Sequence, residues 1–280
     1  MESSVLYVAL ATSLGLVLGA LAKSRSAAFA CACGVAVLAV VLQPRVVSDA
    51  QPSAEGRTVT IVALNLSQSR VSPAIVTSLL RTRNVDLAAF SELTPSGLEG
   101  LNRAGLRSLL PQAQAVPYAN SGGLGAFSRL NSAWDEDLLP PARRWMPTLV
   151  RPRDASAFRF AAVHISPPLP KSLVDYQENN VFGELPAATY RAKGSIIAGD
   201  FNATLDNRRM RKLLKLGYRD AAEQVGAGLA PTWRAGRGLA AITIDHVLVS
   251  PEMAVRSYQR IRMAGSDHDA ILVTVQLPRA

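Results

Sequence analysis

The residues best suited to chemistry in this 280-residue sequence stand directly beside short apolar runs. Asn65 follows Ile-Val-Ala-Leu, His164 follows Phe-Ala-Ala-Val, and Asp200 follows Ile-Ile-Ala-Gly. The other members of the set, placed in the same way, are Glu92, Asn202, Asp245, Asp267 and His268. Because strand ends on one edge of a sheet converge, residues far apart in the sequence can share one pocket.

The residue types in this set indicate a particular chemistry. Carboxylates and amide carbonyls are hard oxygen ligands, which suit Mg²⁺ or Mn²⁺. Imidazoles suit proton transfer and the stabilisation of an anionic transition state. Together they predict a metal-assisted site that acts on phosphoryl oxygens.

The elements that must position these residues are apolar, β-branched runs of strand length. We predict strands over residues 58–64, 87–90, 158–163, 195–198, 242–248 and 270–275. Apolar residues at helical spacing predict helices over 73–83 and 208–216. Strands and helices in alternation, together with stretches that contain strands alone, predict a layered α/β domain with mixed sheets.

Three segments in the carboxyl-terminal half carry a specific resemblance. They are Gly199-Asp200-Phe201-Asn202-Ala203, Ile244-Asp245-His246-Val247 and Ser266-Asp267-His268. They resemble motifs of the endonuclease/exonuclease/phosphatase (deoxyribonuclease-I-like) superfamily. Asn65, the triplet Ser91-Glu92-Leu93 and the triplet Ala162-Val163-His164 stand where that family has its amino-terminal motifs, with Ser91 in a place where Gln is common. The resemblance implies a four-layer sandwich of two mixed β-sheets flanked by helices over residues 57–280.

The resemblance also implies roles for the residues. Glu92, Asn65 and Asp267 would hold a divalent metal, Mg²⁺ or alternatively Mn²⁺. Asp200 would orient or deprotonate the attacking water, and Asn202 would hold that water and a phosphate oxygen. His268, paired with Asp245, would neutralise the phosphoryl oxygens, and His164 would protonate the leaving oxygen or act as a second clamp. His246 is expected to be a supporting residue.

The amino-terminal 45 residues have a different composition. Apart from Lys23 and Arg25, no charged residue occurs from Ser3 through Pro44. Because a membrane-spanning helix needs about 20 apolar residues, we predict two transmembrane helices, over about 4–22 and 26–44. The basic loop between them predicts a multi-pass cell-membrane protein whose catalytic domain faces away from the cytosol. A cleaved signal peptide is the alternative. Residues 46–56 have the composition of a linker.

Charge distinguishes possible partners only coarsely. The net charge is +9, and the composition, 49% hydrophobic, excludes a disordered chain. The basic run from Arg208 to Lys215 is typical of the solvated face of an amphipathic helix, and a phosphate-binding strip is the second interpretation. Trp233 is expected either to flank the substrate or to pack. No obligate protein partner is indicated.

These observations predict a membrane-anchored, Mg²⁺-dependent phosphoric ester hydrolase. Its expected substrate is a phosphate ester or pyrophosphate, such as an envelope lipid phosphate, because a membrane anchor favours a membrane-proximal substrate. A membrane-anchored nuclease acting on DNA or RNA is the alternative. A catalytically silent binding module is a third hypothesis.

Overall fold

A computed structural model describes residue 15 and residues 25–138, 145–167, 182–235 and 240–279. Its first described helix, α1, is Arg25–Val46. Within α1, Phe29–Val46 is long and apolar enough to cross a membrane, with a mean hydropathy of 1.9. None of that stretch is buried against the rest of the protein. The predicted span over 26–44 therefore coincides with a helix, whereas the span predicted over 4–22 lies outside the described residues, apart from Gly15.

The first sheet contains six strands: β1 (Thr58–Asn65), β2 (Leu87–Ser91), β3 (Gln112–Val116), β4 (Leu124–Ser128), β13 (Ala254–Arg262) and β14 (Asp269–Gln276). Their order across the sheet is β13-β14-β1-β2-β4-β3. β1 and β2 are parallel, and each of the other neighbouring pairs is antiparallel. The sheet is therefore mixed.

The second sheet has the same design. It contains β5 (Ser132–Trp134), β6 (Trp145–Val150), β7 (Phe158–His164), β8 (Ser195–Asp200), β9 (Arg219–Asp220) and β12 (Asp245–Val249), in the order β5-β6-β7-β8-β12-β9. Only β7 and β8 are parallel among its described pairs. A separate hairpin pairs β10 (Trp233–Ala235) with β11 (Ala240–Ile242).

The helices begin at residues whose chemistry favours a helix start. The described ones after α1 are α2 (Pro73–Thr82), α3 (Pro95–Arg103), α4 (Leu106–Leu109), α5 (Arg208–Leu214) and α6 (Ala221–Gln224). Proline opens α2 and α3, where its missing N–H costs no hydrogen bond. The side chains of Thr94, Asn207 and Asp220 cap α3, α5 and α6. Short 3₁₀ turns occupy Glu136–Leu138 and Tyr190–Ala192.

The core explains why the strands read as continuous apolar runs. Successive side chains of a strand point to opposite faces of the sheet. In β1, Ile61 and Ala63 pack between the two sheets, while Val62 and Leu64 pack under α2 and α3. The outer face of the second sheet is covered by α5 through Met210 and Leu213. The central strands of both sheets are thus buried on both faces, and the predicted α/β sandwich of two mixed sheets is confirmed.

One predicted strand is wrong in its extent. The run 242–248 is not a single strand, because β11 ends at Ile242 and β12 begins at Asp245. The hydroxyl of Thr232 accepts hydrogen bonds from the backbone N–H groups of Ile244 and Asp245, at 3.1 and 3.0 Å. The chain leaves the hairpin there and joins the second sheet beside β8. Periodicity in an apolar run gives no signal for such a change of partner.

Candidate functional site

The eight predicted site residues lie at one edge of the sandwich. Asn65, His164 and Asp200 are the last residues of β1, β7 and β8. β14 and β12 run antiparallel to β1 and β8, so their first residues lie at the same edge as the last residues of their neighbours. Asp245 accordingly pairs in register with Asp200. Because β12 and β14 run antiparallel to their neighbours, the motifs of the carboxyl-terminal half lie next to those of the amino-terminal half.

Asp200 lies at the centre of the group and is buried. Its Oδ2 accepts a hydrogen bond from Asn65 Nδ2 at 2.9 Å and lies 3.8 Å from Nε2 of both His164 and His268. Its Oδ1 accepts from the backbone N–H of Asn202 at 2.8 Å. Burial, with a further contribution from the Asp245 carboxylate, raises the pKa of Asp200 to about 7. A carboxylate with such a pKa is suited to accept a proton near neutral pH.

Asn65 links two carboxylates through its amide group. Its Oδ1 accepts from the backbone N–H of Ser67 at 2.8 Å, which fixes the orientation of the amide because a backbone N–H can only donate. Nδ2 must then face the carboxylates of Glu92, at 3.2 Å, and Asp200, at 2.9 Å. The geometry gives Asn65 a positioning role towards both acids.

His268 and Asp245 form a buried imidazole–carboxylate pair. Nδ1 of His268 lies 2.9 Å from Asp245 Oδ2. Burial by itself would lower the pKa of His268, but the charge and hydrogen bond of Asp245 raise it to about 9. The ring is therefore an imidazolium at neutral pH. Nδ1–H donates to Asp245, and Nε2–H is directed towards Asp200 and the cleft.

Asn202 and Glu92 both have left-handed backbone conformations, with φ of 47° and 54°. Such conformations are uncommon for residues other than glycine, and their strain concentrates at functional sites. Nδ2 of Asn202 donates to the carbonyl oxygen of Ile165 at 2.8 Å, so the side-chain oxygen is its remaining polar group. Gly199, which precedes Asp200, is required sterically, because a Cβ there would collide with the carbonyl oxygen of Val163.

Asp267 lies in the wall of the cleft, where two hydrogen bonds hold its carboxylate. Its Oδ1 accepts from the hydroxyl of Ser67 at 2.7 Å, and its Oδ2 accepts from Trp233 Nε1 at 2.9 Å. Partial burial acts to raise the pKa of Asp267, but these two hydrogen bonds hold it below its usual value. The Trp233 ring also lies against His268, with 6.4 Å between ring centroids.

These side chains open into a cleft of about 740 Å³. Six of the eight predicted site residues line it: Glu92, His164, Asp200, Asn202, Asp267 and His268. Asn65 and Asp245 lie behind this lining and act through the residues they bind. A cleft of this size holds a small phosphorylated group or the reacting part of a larger molecule.

The site suits a divalent cation. Three carboxylates, from Glu92, Asp200 and Asp267, line the cleft. A fourth, that of Asp245, lies behind them, and its Oδ1 is buried without a hydrogen-bond partner among the described residues. Donor atoms of Asp200, Asp245 and His268 lie within 4.8 Å of one another and could hold an ion. Burial and the Asp245 carboxylate raise the pKa of Asp200, and a bound cation would oppose both effects by stabilising its charged form.

Sequence reasoning missed two supporting residues, Ser67 and Thr232. Ser67 binds Asn65 through its backbone and Asp267 through its hydroxyl. Thr232 is fully buried and fixes the start of β12, and hence Asp245. Ser67 lies two residues after Asn65, and this spacing is typical of an Asx turn. The sequence could therefore have predicted the contact between the Ser67 backbone and the Asn65 side chain. The sequence singles out the neighbouring Trp233, but no local pattern assigns a role to the Thr232 hydroxyl.

Comparison with known proteins agrees with this geometry. The profile of the Endonuclease/Exonuclease/phosphatase family matches residues 63–268, which include all eight site residues. The chain belongs to this family, whose members are phosphoric ester hydrolases, nucleases and phosphatases among them. No curated protein matches the chain.

Solved structures share the fold at low identity. The 3′ phosphatase NExo from Neisseria, bound to a product DNA hairpin, is 19% identical with a TM-score of 0.62, covering 77% of this chain and 98% of its own. An endonuclease/exonuclease/phosphatase from Beutenbergia cavernae is 17% identical with a TM-score of 0.65, covering 79% of this chain and 72% of its own. Humanized D. rerio TDP2 is 17% identical with a TM-score of 0.60, covering 78% and 98%.

Proposed function

We propose that this chain is a divalent-metal-dependent phosphoesterase that hydrolyses a phosphate ester or pyrophosphate by direct attack of water at phosphorus. The observation that carries the proposal is the position of Asp200, whose Oδ2 lies 3.8 Å from Nε2 of both His164 and His268 on the wall of the cleft. A base and two imidazoles then face one small volume, in which a phosphoryl group can be attacked and its charge stabilised.

Each residue has a definite task in this proposal. Asp200 accepts the proton of the attacking water, and Asn202 orients the water and a phosphoryl oxygen. The His268 imidazolium, held by Asp245, donates Nε2–H to the phosphoryl oxygen on which charge develops. His164 donates a proton to the leaving oxygen or forms a second hydrogen bond to the phosphoryl group.

Glu92 is the proposed principal ligand of the metal, Mg²⁺ or Mn²⁺, with Asn65 orienting it and Asp267 as a further ligand. When bound, the metal polarises the phosphoryl oxygen and neutralises its charge. The group of Asp200, Asp245 and His268 is the competing site for the ion.

Calorimetric titration with Mn²⁺ distinguishes the site at Glu92 from this competing site. Glu92→Gln should weaken Mn²⁺ binding at least tenfold and Asp245→Asn only slightly. The reverse order would move the metal to the second group.

The proposed substrate is a phosphorylated membrane lipid. Its support is the unburied apolar helix α1, which we propose to be one of two membrane-spanning helices of a multi-pass protein with an extracytoplasmic catalytic domain. Protease added to intact cells should then remove the domain, and full protection would place it in the cytosol.

Nucleic acid is the second candidate substrate, supported by the +9 net charge and by the DNA-bound Neisseria 3′ phosphatase.

One substrate panel tests the activity and the substrate together. Purified full-length protein is assayed with Mg²⁺, with Mn²⁺ and with a chelator, on lipid phosphates, lipid pyrophosphates, sugar phosphates, DNA and RNA. Asp200→Asn, purified identically, controls for contaminating enzymes. We expect metal-dependent phosphate release from a lipid substrate that is lost in the variant. Cleavage of DNA alone would select the nuclease, and no hydrolysis of any ester would overturn the proposed function.

A further inference from the structure

The carboxyl-terminal end of α1 is fixed to the folded domain by Arg45. Its Nη1 and Nη2 bind the two carboxylate oxygens of Asp206 at 3.0 and 2.6 Å, and its Nε lies 3.4 Å from Glu223 Oε1. The three side chains are only 15 to 24% exposed. Two parallel hydrogen bonds between a guanidinium and a carboxylate define an orientation as well as a contact. Arg45 therefore sets the angle at which α1 leaves the domain.

The backbone supports the same contact. The N–H of Gly228 donates to the carbonyl oxygen of Arg45 at 2.9 Å, which satisfies a carbonyl group at the helix end. A Cβ at Gly226 would lie 2.9 Å from the carbonyl oxygen of Val46, and one at Gly228 would lie 3.2 Å from the Cα of Arg45. Glycine at these two positions allows the helix end to approach the loop after α6 closely.

The segment between α1 and β1 also lies against the domain. Asp49 and Gln51 make three hydrogen bonds to Gln224, the last residue of α6, through the backbone N–H of Asp49, Oδ2 of Asp49 and Nε2 of Gln51. Oε1 of Gln51 accepts from the backbone N–H of Val255, and Ala54 is buried. A free linker of this length could extend over about 35 Å. This segment instead holds the domain close to the end of α1.

Asp206 belongs to the rim of the candidate active site. Thr204 and Asn207, on either side of it, line the cleft. Asn207 caps α5, whose first turn carries the exposed Arg208 and Arg211, and Arg211 donates to the carbonyl oxygen of Asp206. The helix end, the cleft rim and a basic helix start are thus one connected unit, which we call the juxtamembrane rim (Arg45, 204–208 and 223–228).

We propose that the juxtamembrane rim docks the cleft mouth onto the headgroup layer of the bilayer that holds α1, so that the substrate is a phosphorylated lipid of that membrane. The inference rests on the proposed function and on α1 spanning the membrane. The headgroup layer of one leaflet is only about 5 to 8 Å thick. A rigid dock keeps the cleft within reach of it, whereas a free linker does not. The exposed arginines at the start of α5 complement anionic headgroups.

The first test measures position without using activity. Full-length protein with Cys31 and Cys33 replaced by serine is spin-labelled at Arg208→Cys, reconstituted in phosphatidylglycerol vesicles, and its collisions with lipid-soluble oxygen and a water-soluble nickel chelate are compared. A label at Arg103→Cys, on α3 of the other sheet, is the matched control. We expect the label at 208 at headgroup depth and the label at 103 in water. Equal exposure of both labels to the nickel chelate would overturn the proposal.

The second test breaks the dock. Arg45→Gln removes the bonds to Asp206 and Glu223, whereas Arg45→Lys keeps the charge and loses the two-pronged geometry. In Arg45→Gln the label at 208 should become as water-exposed as the label at 103, and Arg45→Lys should be intermediate. Headgroup depth that is unchanged in Arg45→Gln would overturn the role of the dock.

The third test links position to substrate. Hydrolysis of phosphatidic acid in vesicles is compared with hydrolysis of soluble p-nitrophenyl phosphate by the same preparation. Arg45→Gln should lower the lipid-to-soluble ratio about tenfold through lost local concentration, with the soluble rate unchanged. An unchanged ratio would contradict the inference while leaving the proposed hydrolysis standing. Absence of both activities and of hydrolysis of every other ester in the substrate panel, with the label still at headgroup depth, would reject the proposed function and retain the dock.

Discussion

Two histidine–aspartate pairs lie side by side in this protein and have different environments. Asp245 and His246 are neighbours on β12, and their side chains point to opposite faces of the sheet. Asp245 binds His268 Nδ1 at 2.9 Å, and Asp220 binds His246 Nδ1 at the same distance. Both histidines have raised pKa values. The two pairs are therefore equivalent in their charges and in the hydrogen bond at the histidine Nδ1.

The two histidines differ in the contacts of their second ring nitrogen, Nε2. Nε2 of His246 lies 3.0 Å from the carbonyl oxygen of Ala203 in the core under Phe201, so both nitrogens face protein acceptors. Nε2 of His268 faces Asp200 and the cleft. A histidine therefore becomes a candidate catalytic group when one nitrogen is oriented by the protein and the other is left for the substrate.

The largest expected effect is on turnover in His268→Ala. Removing the imidazolium deletes the donor to the developing charge on the phosphoryl group, and we expect kcat to fall about 10³-fold. Steady-state kinetics on the substrate found in the panel measures this loss. Circular dichroism and a urea unfolding curve should remain close to those of the wild type. A kcat within threefold of the wild type would remove His268 from the catalytic machinery.

His246→Gln should show the opposite pattern. It leaves the buried Asp220 carboxylate without its cationic partner, which should lower the free energy of unfolding by about 3 kcal/mol. Urea denaturation measures the change. Because neither ring nitrogen of His246 reaches the cleft, kcat of the folded variant should stay within about threefold of the wild type. A loss of kcat comparable to that of His268→Ala would contradict the distinction between the two pairs.

The same pair gives a pH dependence of stability. Burial acts to lower the pKa of His246, but the hydrogen bond and charge of Asp220 raise it above the ordinary value near 6.5. A raised pKa means that the folded state binds the proton more tightly than the unfolded state. The stabilisation is therefore complete below pH 6.5 and is lost as the pH rises through the folded-state pKa. Urea curves across this range should converge for wild type and His246→Gln at alkaline pH, and parallel curves would contradict this.

The smallest expected change in free energy is that of Asp245→Asn. Loss of the carboxylate removes what raises the pKa of His268 to about 9. The alkaline limb of the kcat/KM profile should therefore move to lower pH, and kcat at neutral pH should fall about tenfold, less than in His268→Ala. A pH–rate profile of both enzymes measures this. An alkaline limb at the same pH in the variant would show that His268 does not set it.

Sequence reasoning succeeded where local pattern and burial agree. The predicted strands over 58–64, 87–90, 158–163, 195–198 and 270–275 are confirmed within about two residues at each end, because strands covered on both faces leave continuous apolar runs. The helix predicted over 208–216 ends at Leu214, with Met210 and Leu213 buried and Arg208 and Lys212 exposed, as expected of an amphipathic helix. The family membership follows from motif order and is confirmed.

Sequence reasoning failed where a contact with a distant residue decides which strand a segment pairs with. The break between Ile242 and Asp245 depends on Thr232, whose hydroxyl binds two backbone N–H groups from a separate loop. The linker over 46–56 stays a prediction, but its composition gives no signal of the hydrogen bonds that Gln51 makes to Gln224 of α6 and Val255 of β13. Composition describes what a segment can tolerate, and long-range contacts decide where it lies.

The sequence by itself determined the set of chemical groups, their order and the elements that carry them, since strand periodicity and motif spacing are local properties. Only the tertiary structure decided which groups meet. It is the antiparallel placement of β12 beside β8 and of β14 beside β1 that brings Asp245 and His268 to Asp200. It likewise decided that His246 faces the core and that Arg45 joins α1 to the rim of the cleft. Such pairings join residues that lie from tens of positions to more than a hundred positions apart in the chain, and no local pattern encodes them.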